Sequence, residues 1–200
     1  MGAGLNDVIP ASAVHLCVDM QRMFVEETDW RAPWAERVLP VIERVCEHHP
    51  DRLCFTRFIP ARRPGDGRGA WRDYWTRWAS MTLEALESGM VDLALPLQRF
   101  VPPGRVLDKT LYSPWIGTDL DAALRRGGVD TLVVTGAETD VCVLATVLGA
   151  IDLGYRTVVV TDALCSSADG SHDALIDLYH DRFGQQVETA QSDDVLDAWT

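Results

Sequence analysis

The chain has no apolar run long enough to cross a membrane, and no basic-then-apolar stretch of the kind found in secretory signals. Its five cysteines are an odd number without close pairing, unlike the framework of a disulfide-rich secreted domain. We therefore expect reduced thiols and a cytoplasmic location. Internal repeats and low-complexity segments are also missing, so we expect one domain over residues 1–200, large enough for a substantial core.

Basic residues are scarce compared with acidic ones. There are 18 Lys and Arg residues against 30 Asp and Glu residues, which gives a formal net charge of −12. A surface that binds nucleic acid needs basic patches, so a general nucleic-acid partner is excluded, and no membrane partner is expected. A small molecule is the remaining class of partner, because its binding depends on local charge.

Patterns typical of strands and helices alternate along the chain, which predicts parallel strands with helices on both faces of the sheet. The predicted strands are 13–19, 52–58, 105–109, 131–135, 156–161 and 186–189. The predicted helices are 34–48, 118–127, 139–153, 171–183 and 192–199. We expect Thr118 or Asp119 to cap the second helix and Ser171 the fourth. The expected fold is a three-layer α/β/α domain around a mostly parallel six-stranded sheet.

Residues 59–104 do not fit this alternation. Two prolines and three glycines between positions 60 and 69 break any regular pattern. Trp71, Trp75 and Trp78 then follow the spacing of one helix face, with Tyr74 and several arginines close by. We interpret this segment as an insertion that covers the site or forms a subunit contact. The spacing of the tryptophans fits plain packing as well.

Cys142 lies in a context that favours chemistry. Residues 131–135 predict a buried strand and 136–138 a sharp turn, and the next helix opens at Thr139 with Cys142 in its first turn. Unpaired backbone N–H groups and the positive end of the helix dipole surround a thiol there, which predicts a lowered pKa and a reactive thiolate. The alternative is a buried cysteine that only packs, which is our interpretation of Cys17, Cys46 and Cys54. Cys165 follows the fifth predicted strand near the edge of the site, so packing and a functional role both stay open for it.

Two further polar residues end predicted strands. They are Asp19 and Lys109, and the carboxyl ends of parallel strands share one edge of a sheet, where ligands bind. We therefore expect the acid, the ammonium and the thiol of Cys142 to converge, with the acid taking the thiol proton and the ammonium holding the anion. The alternatives are a turn-capping role for Asp19 and a surface ion pair for Lys109. Alternation along the strand points Asp108 to the other face.

Four segments together resemble the isochorismatase-like cysteine hydrolases, a superfamily that includes nicotinamidases, N-carbamoylsarcosine amidohydrolase, biuret hydrolase and isochorismatase. The matching segments are VDMQRMF at 18–24, KTLYSPWIGTDL at 109–120, GAETDVCV at 136–143 and GYRTVVVTDA at 154–163. The resemblance covers about residues 13–190. It implies an isochorismatase-like, Rossmann-like fold, a homo-oligomer (dimer or tetramer) and an Asp19–Lys109–Cys142 triad. The implied reaction is hydrolysis of a C–N bond in a small amide, ureide or carbamoyl compound through a thioester.

The resemblance also implies roles for residues around the triad. In relatives the peptide bond at the position of Ala137–Glu138 is cis, and the N–H groups of Glu138 and Cys142 would form an oxyanion hole. The family often has alanine where this chain has Glu138, so a carboxylate here is expected to alter substrate choice. Trp115 falls where relatives have an aromatic residue lining the pocket, although it could equally pack beneath its loop. Phe24, in the first matching segment, is expected to contact substrate.

The chain departs from one branch of the family at a metal site. Nicotinamidases carry an Asp-x-His…His zinc site just after the second strand, where this chain has RFIPARRP at 57–64. Arginine stays protonated and repels cations, so we expect no metal and no other cofactor. This departure argues against nicotinamidase activity.

The arginines and aromatic rings of the insertion predict a kind of substrate. Arginine pairs with carboxylates and aromatic faces accept flat groups. We therefore expect Arg62, Arg63, Trp71 and Trp75 to bind a small, planar substrate, carrying a carboxylate rather than a cation.

Three alternatives to the triad chemistry stay open at this point. A Cys–His pair would need one of the five histidines beside Cys142, namely His15, His48, His49, His172 or His180. A non-catalytic ligand-binding member of the fold is the second, since fold does not imply function. The third is hydrolysis of an isochorismate-type vinyl ether, which does not require the cysteine.

Overall fold

The structure, a computed structural model, describes residues 4–200. The strands are β1 Val14–Val18, β2 Leu53–Phe58, β3 Arg105–Lys109, β4 Thr131–Ala137, β5 Arg156–Cys165 and β6 Val187–Ala190. The helices are α1 Arg22–Val25, α2 Ala35–His48, α3 Ala70–Arg77, α4 Leu120–Arg126, α5 Leu144–Asp152, α6 Asp169–Asp181 and α7 Ser192–Ala198. Within these residues no helix combines the length and the apolar character that a membrane span requires.

The strands form one sheet in the order β3-β2-β1-β4-β5-β6, and every pairing in it is parallel. All residues of β1 and β4, at its centre, are buried. Their side chains alternate between two cores: Cys17 packs on the side of α2 and α7, whereas Leu16 and Val18 pack on the side of α4, α5 and α6. The predicted three-layer α/β/α fold is therefore confirmed.

The strand order reverses at the centre of this sheet. From β1 the chain moves outward through β2 and β3, then returns to β4 on the other side of β1 and moves outward through β5 and β6. Such a reversal leaves a crevice beyond the carboxyl ends of the two central strands, where ligands bind in open α/β sheets. Asp19 directly follows β1, and Cys142 lies in the first helical turn after β4. The topology thus brings them to one place.

Two strands are longer than predicted. β4 and β5 continue to Ala137 and Cys165 because their pairing resumes after a register shift, with Gly136 beside Leu164 and Ala137 beside Cys165. This extension carries backbone hydrogen bonding up to the turn before Cys142, where the sequence pattern predicted only a loop.

The caps of two helices differ from the predictions. The prediction that Ser171 caps α6 is wrong: the helix begins at Asp169, and the Ser171 hydroxyl donates to Asp140 from inside it. At α4, Asp119 occupies the cap position without a side-chain hydrogen bond, and the N–H of Leu120 donates to Thr118 Oγ1 at 3.2 Å. Thr118 is therefore the residue that satisfies the start of α4.

The insertion at 59–104 is attached to the sheet by Gln21, which is fully buried. Its amide donates to the carbonyl oxygens of Phe58 and Val91 at 3.0 and 2.8 Å, and its Oε1 accepts from the N–H of Phe58 at 2.7 Å. α3 lies in this segment and buries Trp75 in an aromatic and methionine cluster. The cluster consists of Met23, Phe24, Trp30, Phe58, Trp75, Met81 and Met90.

His15 is a buried polar residue in the middle of the sheet. Its Nε2 lies 2.7 Å from Thr135 Oγ1 and its Nδ1 lies 3.8 Å from Cys46 Sγ. Burial lowers the pKa of His15 from 6.5 to about 3. The folded protein therefore holds this imidazole neutral, whereas the unfolded chain protonates it below pH 6.5.

We expect His15 to make the protein less stable in mild acid. Because its folded pKa is depressed, the unfolded state binds the extra proton, so the free energy of unfolding falls as the pH drops from 6.5 toward about 3. The slope due to this one group is about 1.4 kcal/mol per pH unit. Urea denaturation at several pH values gives the free energy of unfolding, which should fall less steeply with decreasing pH in His15→Gln than in wild type. The matched control is His48→Gln, since His48 is exposed; an unchanged slope in His15→Gln would contradict the assignment.

Candidate active site

Asp19 is held in one orientation at the end of β1. Its φ of 48° lies in the left-handed region, which few non-glycine residues adopt. Its N–H donates to the carbonyl oxygen and to Oγ1 of Thr56, at 3.2 and 3.1 Å. The Thr56 hydroxyl in turn donates to Asp19 Oδ1 at 2.5 Å, and both residues are fully buried. Thr56 therefore fixes Oδ1 of the Asp19 carboxylate, while Oδ2 faces Lys109 at the end of β3.

Lys109, the only lysine in the chain, ends the edge strand β3. The strand is mostly exposed, but Lys109 itself turns inward and is 2% exposed. Its Nζ donates to Asp19 Oδ2 at 2.6 Å, to the Leu111 carbonyl oxygen at 3.1 Å and to Cys142 Sγ at 3.5 Å. Burial alone would lower the pKa of Lys109, but the negative charge of Asp19 and the hydrogen bond to it outweigh burial, and the pKa is raised. Lys109 is therefore a cation between the acid and the thiol.

Cys142 lies in a π-helical turn, Thr139–Val143, that joins β4 to α5. The residue is 5% exposed, and its carbonyl oxygen accepts a hydrogen bond from the Thr146 hydroxyl at 2.7 Å. The sequence correctly placed this thiol in the first turn of a helix. The structure brings it together with Asp19 and Lys109, as the strand ends predicted.

The prediction of a lowered pKa for Cys142 is wrong. Burial raises the pKa of the thiol well above its ordinary value, the negative charge of Asp19 raises it further, and Lys109 only partly offsets these two effects. The thiol therefore keeps its proton at neutral pH, and its thiolate forms only when a base takes that proton. The sequence showed the helix start but not the depth of burial.

The other four cysteines are buried, and none of them has both Asp19 and Lys109 beside it, although the charge of Asp19 also acts on Cys17. Burial raises the pKa of Cys17 and Cys165 to about 12 and that of Cys54 to about 11, and it also raises the pKa of Cys46. Proximity to Asp19 and Lys109, rather than thiolate content, is what distinguishes Cys142 from them.

The histidines do not form a pair with Cys142 in the part of the chain that the structure describes. His15 bonds with Thr135 and His48 with the Trp199 carbonyl. His172 contacts the turn that contains Cys142, but through another residue: its Nδ1 lies 2.8 Å from the hydroxyl of Thr139, where the turn begins. The Cys–His alternative therefore has no support in the geometry.

The turn before Cys142 depends on Gly136. Its φ is 117°, and a Cβ there would lie 2.1 Å from the carbonyl oxygen of Val18, so only glycine lets β4 pass this close to β1. The next peptide bond but one, Ala137–Glu138, is cis. The carbonyl oxygen of Glu138 accepts from the N–H of Val143 at 3.0 Å, which anchors the π-helical turn. The oxyanion hole itself stays a prediction.

Glu138 directly precedes the π-helical turn that contains Cys142, and its side chain reaches the chain beyond β5. Its Oε1 accepts from the Ser167 N–H at 3.0 Å, and burial raises the pKa of the carboxyl despite the hydrogen bonds from Ser167. Burial also raises the pKa values of Tyr74 and Tyr112, and the negative charge of Glu138 raises both further. The two phenol rings lie close together, with 6.3 Å between their centres.

Aromatic rings form a wall beside the triad. Lys109 Nζ lies 5.2 Å from the centre of the Phe58 ring, and Tyr112 lies 6.2 Å from Phe58 and 4.9 Å from Trp71, between ring centres. Tyr74 packs edge-on against Trp71 at 5.2 Å. The sequence indicated Trp71 but missed Tyr74 and Tyr112 as site residues, although Tyr112 lies in the second matching segment.

The comparison with protein families decides the relationship. The sequence model of the isochorismatase domain matches residues 13–191. The chain belongs to the isochorismatase family.

Two relatives resemble the chain over different lengths. The uncharacterized isochorismatase family protein YwoC of Bacillus subtilis is 33% identical over 116 residues, which are 55% of this chain and 61% of YwoC. The ureidoacrylate amidohydrolase RutB of Methylorubrum extorquens is 39% identical over 88 residues, which are 44% of this chain and 36% of RutB. The chain therefore spans less than two thirds of these relatives.

A solved structure has the same fold. The cysteine hydrolase from Pseudomonas syringae pv. phaseolicola 1448A superposes with a TM-score of 0.82, covering 99% of this chain and 96% of its own, at 21% sequence identity. This similarity establishes the fold of the chain.

Two of the arginines predicted to bind substrate are already paired on the surface. Arg62 and Arg63 extend into solvent, with side chains 80% and 68% exposed, and pair with Glu84 and Asp66 at 3.2 and 3.3 Å. Their carboxylate partners are therefore in the chain itself. Arg57 likewise pairs on the surface with Asp108, whose outward orientation follows from strand alternation.

Three predicted aromatic contacts are packing residues. Phe24 is buried and stacks on Trp30, and Trp75 is buried in the same cluster. Trp115 stacks on Tyr155 and donates to the Thr146 carbonyl at 2.9 Å, so it packs beneath its loop on the helix that follows Cys142. Of the predicted rings, Trp71 is the one in the wall beside the triad.

Metal ligands were not expected, and residues 4–200 contain no group of three or more His, Cys, Asp or Glu side chains arranged to hold an ion. The segment that follows β2 contributes arginines, and Arg57 is paired with Asp108 and Asp92. Catalysis without a cofactor stays a prediction.

The raised pKa of Cys142 predicts how its alkylation depends on pH. Only the thiolate reacts, so we expect the rate of labelling by iodoacetamide to keep rising above the ordinary thiol pKa of about 8.5. In Asp19→Asn the anion that raises this pKa is lost, and the profile should move to lower pH by about one unit. Mass spectrometry of the peptide that contains Cys142 measures both rates.

Glu47→Gln serves as the matched control, since it removes an exposed carboxylate near the end of α2, away from the carboxyl ends of the strands. Its profile should coincide with wild type. If the wild-type labelling rate already levels off at neutral pH, then the pKa of Cys142 is not raised.

Proposed function

We propose that the protein is a cysteine-dependent hydrolase that cleaves a C–N bond in a small amide, ureide or carbamoyl compound. The observation that carries this proposal is the position of Lys109 Nζ, 2.6 Å from Asp19 Oδ2 and 3.5 Å from Cys142 Sγ, with all three residues buried. A nucleophile, a base and a cation within reach of one another are the parts that acyl transfer needs.

The first step is the transfer of the Cys142 proton to Asp19. The thiol is protonated at rest because burial and Asp19 raise its pKa, so the carboxylate has to act as general base. Lys109 stays an ammonium and changes partner from the carboxylate to the new thiolate. The thiolate then attacks the substrate carbonyl carbon and forms a tetrahedral intermediate.

The second step breaks the C–N bond. The N–H groups of Glu138 and Cys142 would hold the oxyanion, and a donor of this kind is typically worth about 10²–10³ in rate. Asp19 gives its proton to the leaving nitrogen, and a thioester remains on Cys142. Asp19 then deprotonates water, which attacks the thioester and releases the acid and the free thiol.

The family relationship supports a hydrolase of this kind. RutB, which is similar over 88 residues, is named as an amidohydrolase. The comparison does not extend to a substrate, because the chain covers 36% of RutB. Neither hydrolysis of a vinyl ether nor ligand binding alone requires a buried Cys142 beside Asp19, so the arrangement favours the cysteine-dependent reaction.

Screening small amides, ureides and carbamates for released ammonia tests the proposal. We expect at least one of them to be hydrolysed, and Cys142→Ser to lower kcat by about 10³-fold or more, as removal of a nucleophile does. Mass spectrometry of quenched reactions should find the acyl group on Cys142. Cys54→Ser, a change at another buried cysteine, is the control and should stay active. Full activity in Cys142→Ser would instead favour a reaction without the cysteine, and inactivity of wild type on the whole panel would favour a binding protein.

Thr56 should matter to catalysis through Asp19. Thr56→Val keeps the shape of the side chain but removes its hydrogen bonds to the Asp19 N–H and Oδ1. We expect kcat to fall about 10- to 100-fold with little change in KM, because the base is no longer held in place. Thr56→Ser keeps the hydroxyl and should restore most of kcat. Equal losses in both variants would mean that packing, not the hydrogen bonds, is what Thr56 provides.

A further inference from the structure

The π-helical turn that contains Cys142 is bonded to one neighbouring segment. This segment, residues 165–172, runs from the end of β5 into the first turn of α6, and we call it the clasp. Three successive side chains at the start of the turn, at positions 138–140, form hydrogen bonds with it. A π-helical turn is an uncommon conformation that occurs mostly as a single turn. Contacts from outside the turn therefore help to fix where Cys142 lies.

Asp140 uses both of its carboxylate oxygens to hold the clasp. Its Oδ1 accepts from the Ser166 hydroxyl and its Oδ2 from the Ser171 hydroxyl, each at 2.5 Å. Ser166 is buried, and its oxygen also accepts from the N–H of Ala168, the cap residue of α6, at 3.3 Å. Hydrogen bonds to an ionised group are about twice as strong as those between neutral groups. Asp140 thus ties the turn to the end of β5 and to α6 at once.

The two residues before Asp140 make other contacts with the clasp. Glu138 accepts from a backbone N–H of the clasp, and the Thr139 hydroxyl donates to the Cys165 carbonyl oxygen at 3.1 Å. The only hydrogen of that hydroxyl is used there, so His172 Nδ1 is the donor in its contact of 2.8 Å with Thr139. Asp140 is the residue of the three that holds two side chains of the clasp through both of its acceptor atoms.

The position of the turn bears directly on the triad. Cys142 follows Asp140 by two residues, and its Sγ lies 3.5 Å from Nζ of Lys109. Lys109 belongs to β3, at the opposite edge of the sheet from the strands that lead to the clasp. The contact between thiol and ammonium therefore joins two halves of the molecule, and a shift of the turn on the clasp changes this distance.

We propose that Asp140 is a positioning residue: by holding the turn on the clasp, it keeps the Cys142 thiol within reach of Lys109 and Asp19. The inference rests on the proposed function for what this positioning achieves in catalysis. The hold on the turn itself can be measured without a substrate.

Amide hydrogen exchange within the turn tests this hold. The N–H groups of Val141 and Val143 donate to the Glu138 carbonyl oxygen at 3.1 and 3.0 Å. In Asp140→Ala, NMR should show both amides exchanging about tenfold faster or more than in wild type, each relative to the intrinsic rate of its sequence. The reason is that the variant loses two hydrogen bonds to a charged group, so the turn opens more often.

Asp162→Ala is the matched control. Asp162 also accepts two hydrogen bonds at the start of a helix, from the N–H and the hydroxyl of Ser192 at 2.8 and 2.7 Å, but this helix is α7. Its loss should leave exchange in the turn as in wild type. Faster exchange in the turn of Asp162→Ala, equal to that in Asp140→Ala, would overturn the inference.

The two serines show whether Asp140 acts through the clasp. The double variant Ser166→Ala/Ser171→Ala removes both donors and keeps the carboxylate, so its turn should exchange as fast as that of Asp140→Ala. Combined with Asp140→Ala, the serine changes should add little, because they remove the same two bonds. Should Asp140→Ala fail to fold, Ser171→Ala alone, which removes one donor, should still speed exchange in the turn. Unchanged exchange in the serine variants, or effects that add in full, would overturn the inference.

Turnover separates this inference from the proposed function. On a hydrolysed amide, Asp140→Ala should lower kcat about tenfold or more with little change in KM, because the nucleophile is displaced while substrate contacts remain. Asp140→Asn keeps one acceptor oxygen and should retain more of kcat. Faster exchange in the turn with an unchanged kcat would overturn the positioning role and leave the proposed function standing. Faster exchange in a protein whose wild type hydrolyses no amide would overturn the proposed function and leave the hold of Asp140 on the turn standing.

Discussion

Asp19 and Lys109 form an ion pair whose two side chains have no exposure to solvent, with 2.6 Å between Oδ2 and Nζ. Taking two ions out of water costs several kcal/mol for each, and their attraction offsets this only where the remaining polar atoms are also satisfied. Thr56 donates a hydrogen bond to the second oxygen of Asp19, and the Leu111 carbonyl and Cys142 accept the other two hydrogen bonds of the Lys109 ammonium. Loss of either partner would leave an uncompensated buried charge, so the geometry of β1, β2 and β3 at this edge depends on the pair.

The same pair explains how a thiol with a raised pKa can act as a nucleophile. When the proton moves from Cys142 to Asp19, the net charge of the buried group does not change: Lys109 loses a carboxylate partner and gains a thiolate partner. The contact of 3.5 Å between Nζ and Sγ means that this exchange needs little movement of the ammonium. Burial strongly disfavours a thiolate that forms by losing its proton to solvent. It disfavours the direct transfer of the proton from Cys142 to Asp19 much less, because the buried net charge stays the same. A low thiol pKa, which the helix start alone suggested, is not required.

Much of this arrangement could be predicted from the sequence because it depends on the period of apolar residues and on where strands end. The alternation of strands and helices predicted the sheet, and three polar residues at strand ends predicted the triad. What the sequence could not show are the contacts between residues far apart in the chain. Thr56 lies inside an apolar strand with no signal of its own, and it reaches Asp19 only because β1 and β2 pair in one register. Trp115 likewise becomes a packing residue only because Gly149 leaves room for its ring.

The arginines show why composition is a poor guide to the charge of a site. Six arginines near the strand end suggested an anion-binding mouth, but Arg57, Arg62 and Arg63 are already paired with carboxylates of the chain itself. Lys109 escapes this only by burial, and burial commits it to Asp19 and Cys142 instead. The cation of the site is therefore a single buried lysine, and the arginines that outnumber it do not reveal its position.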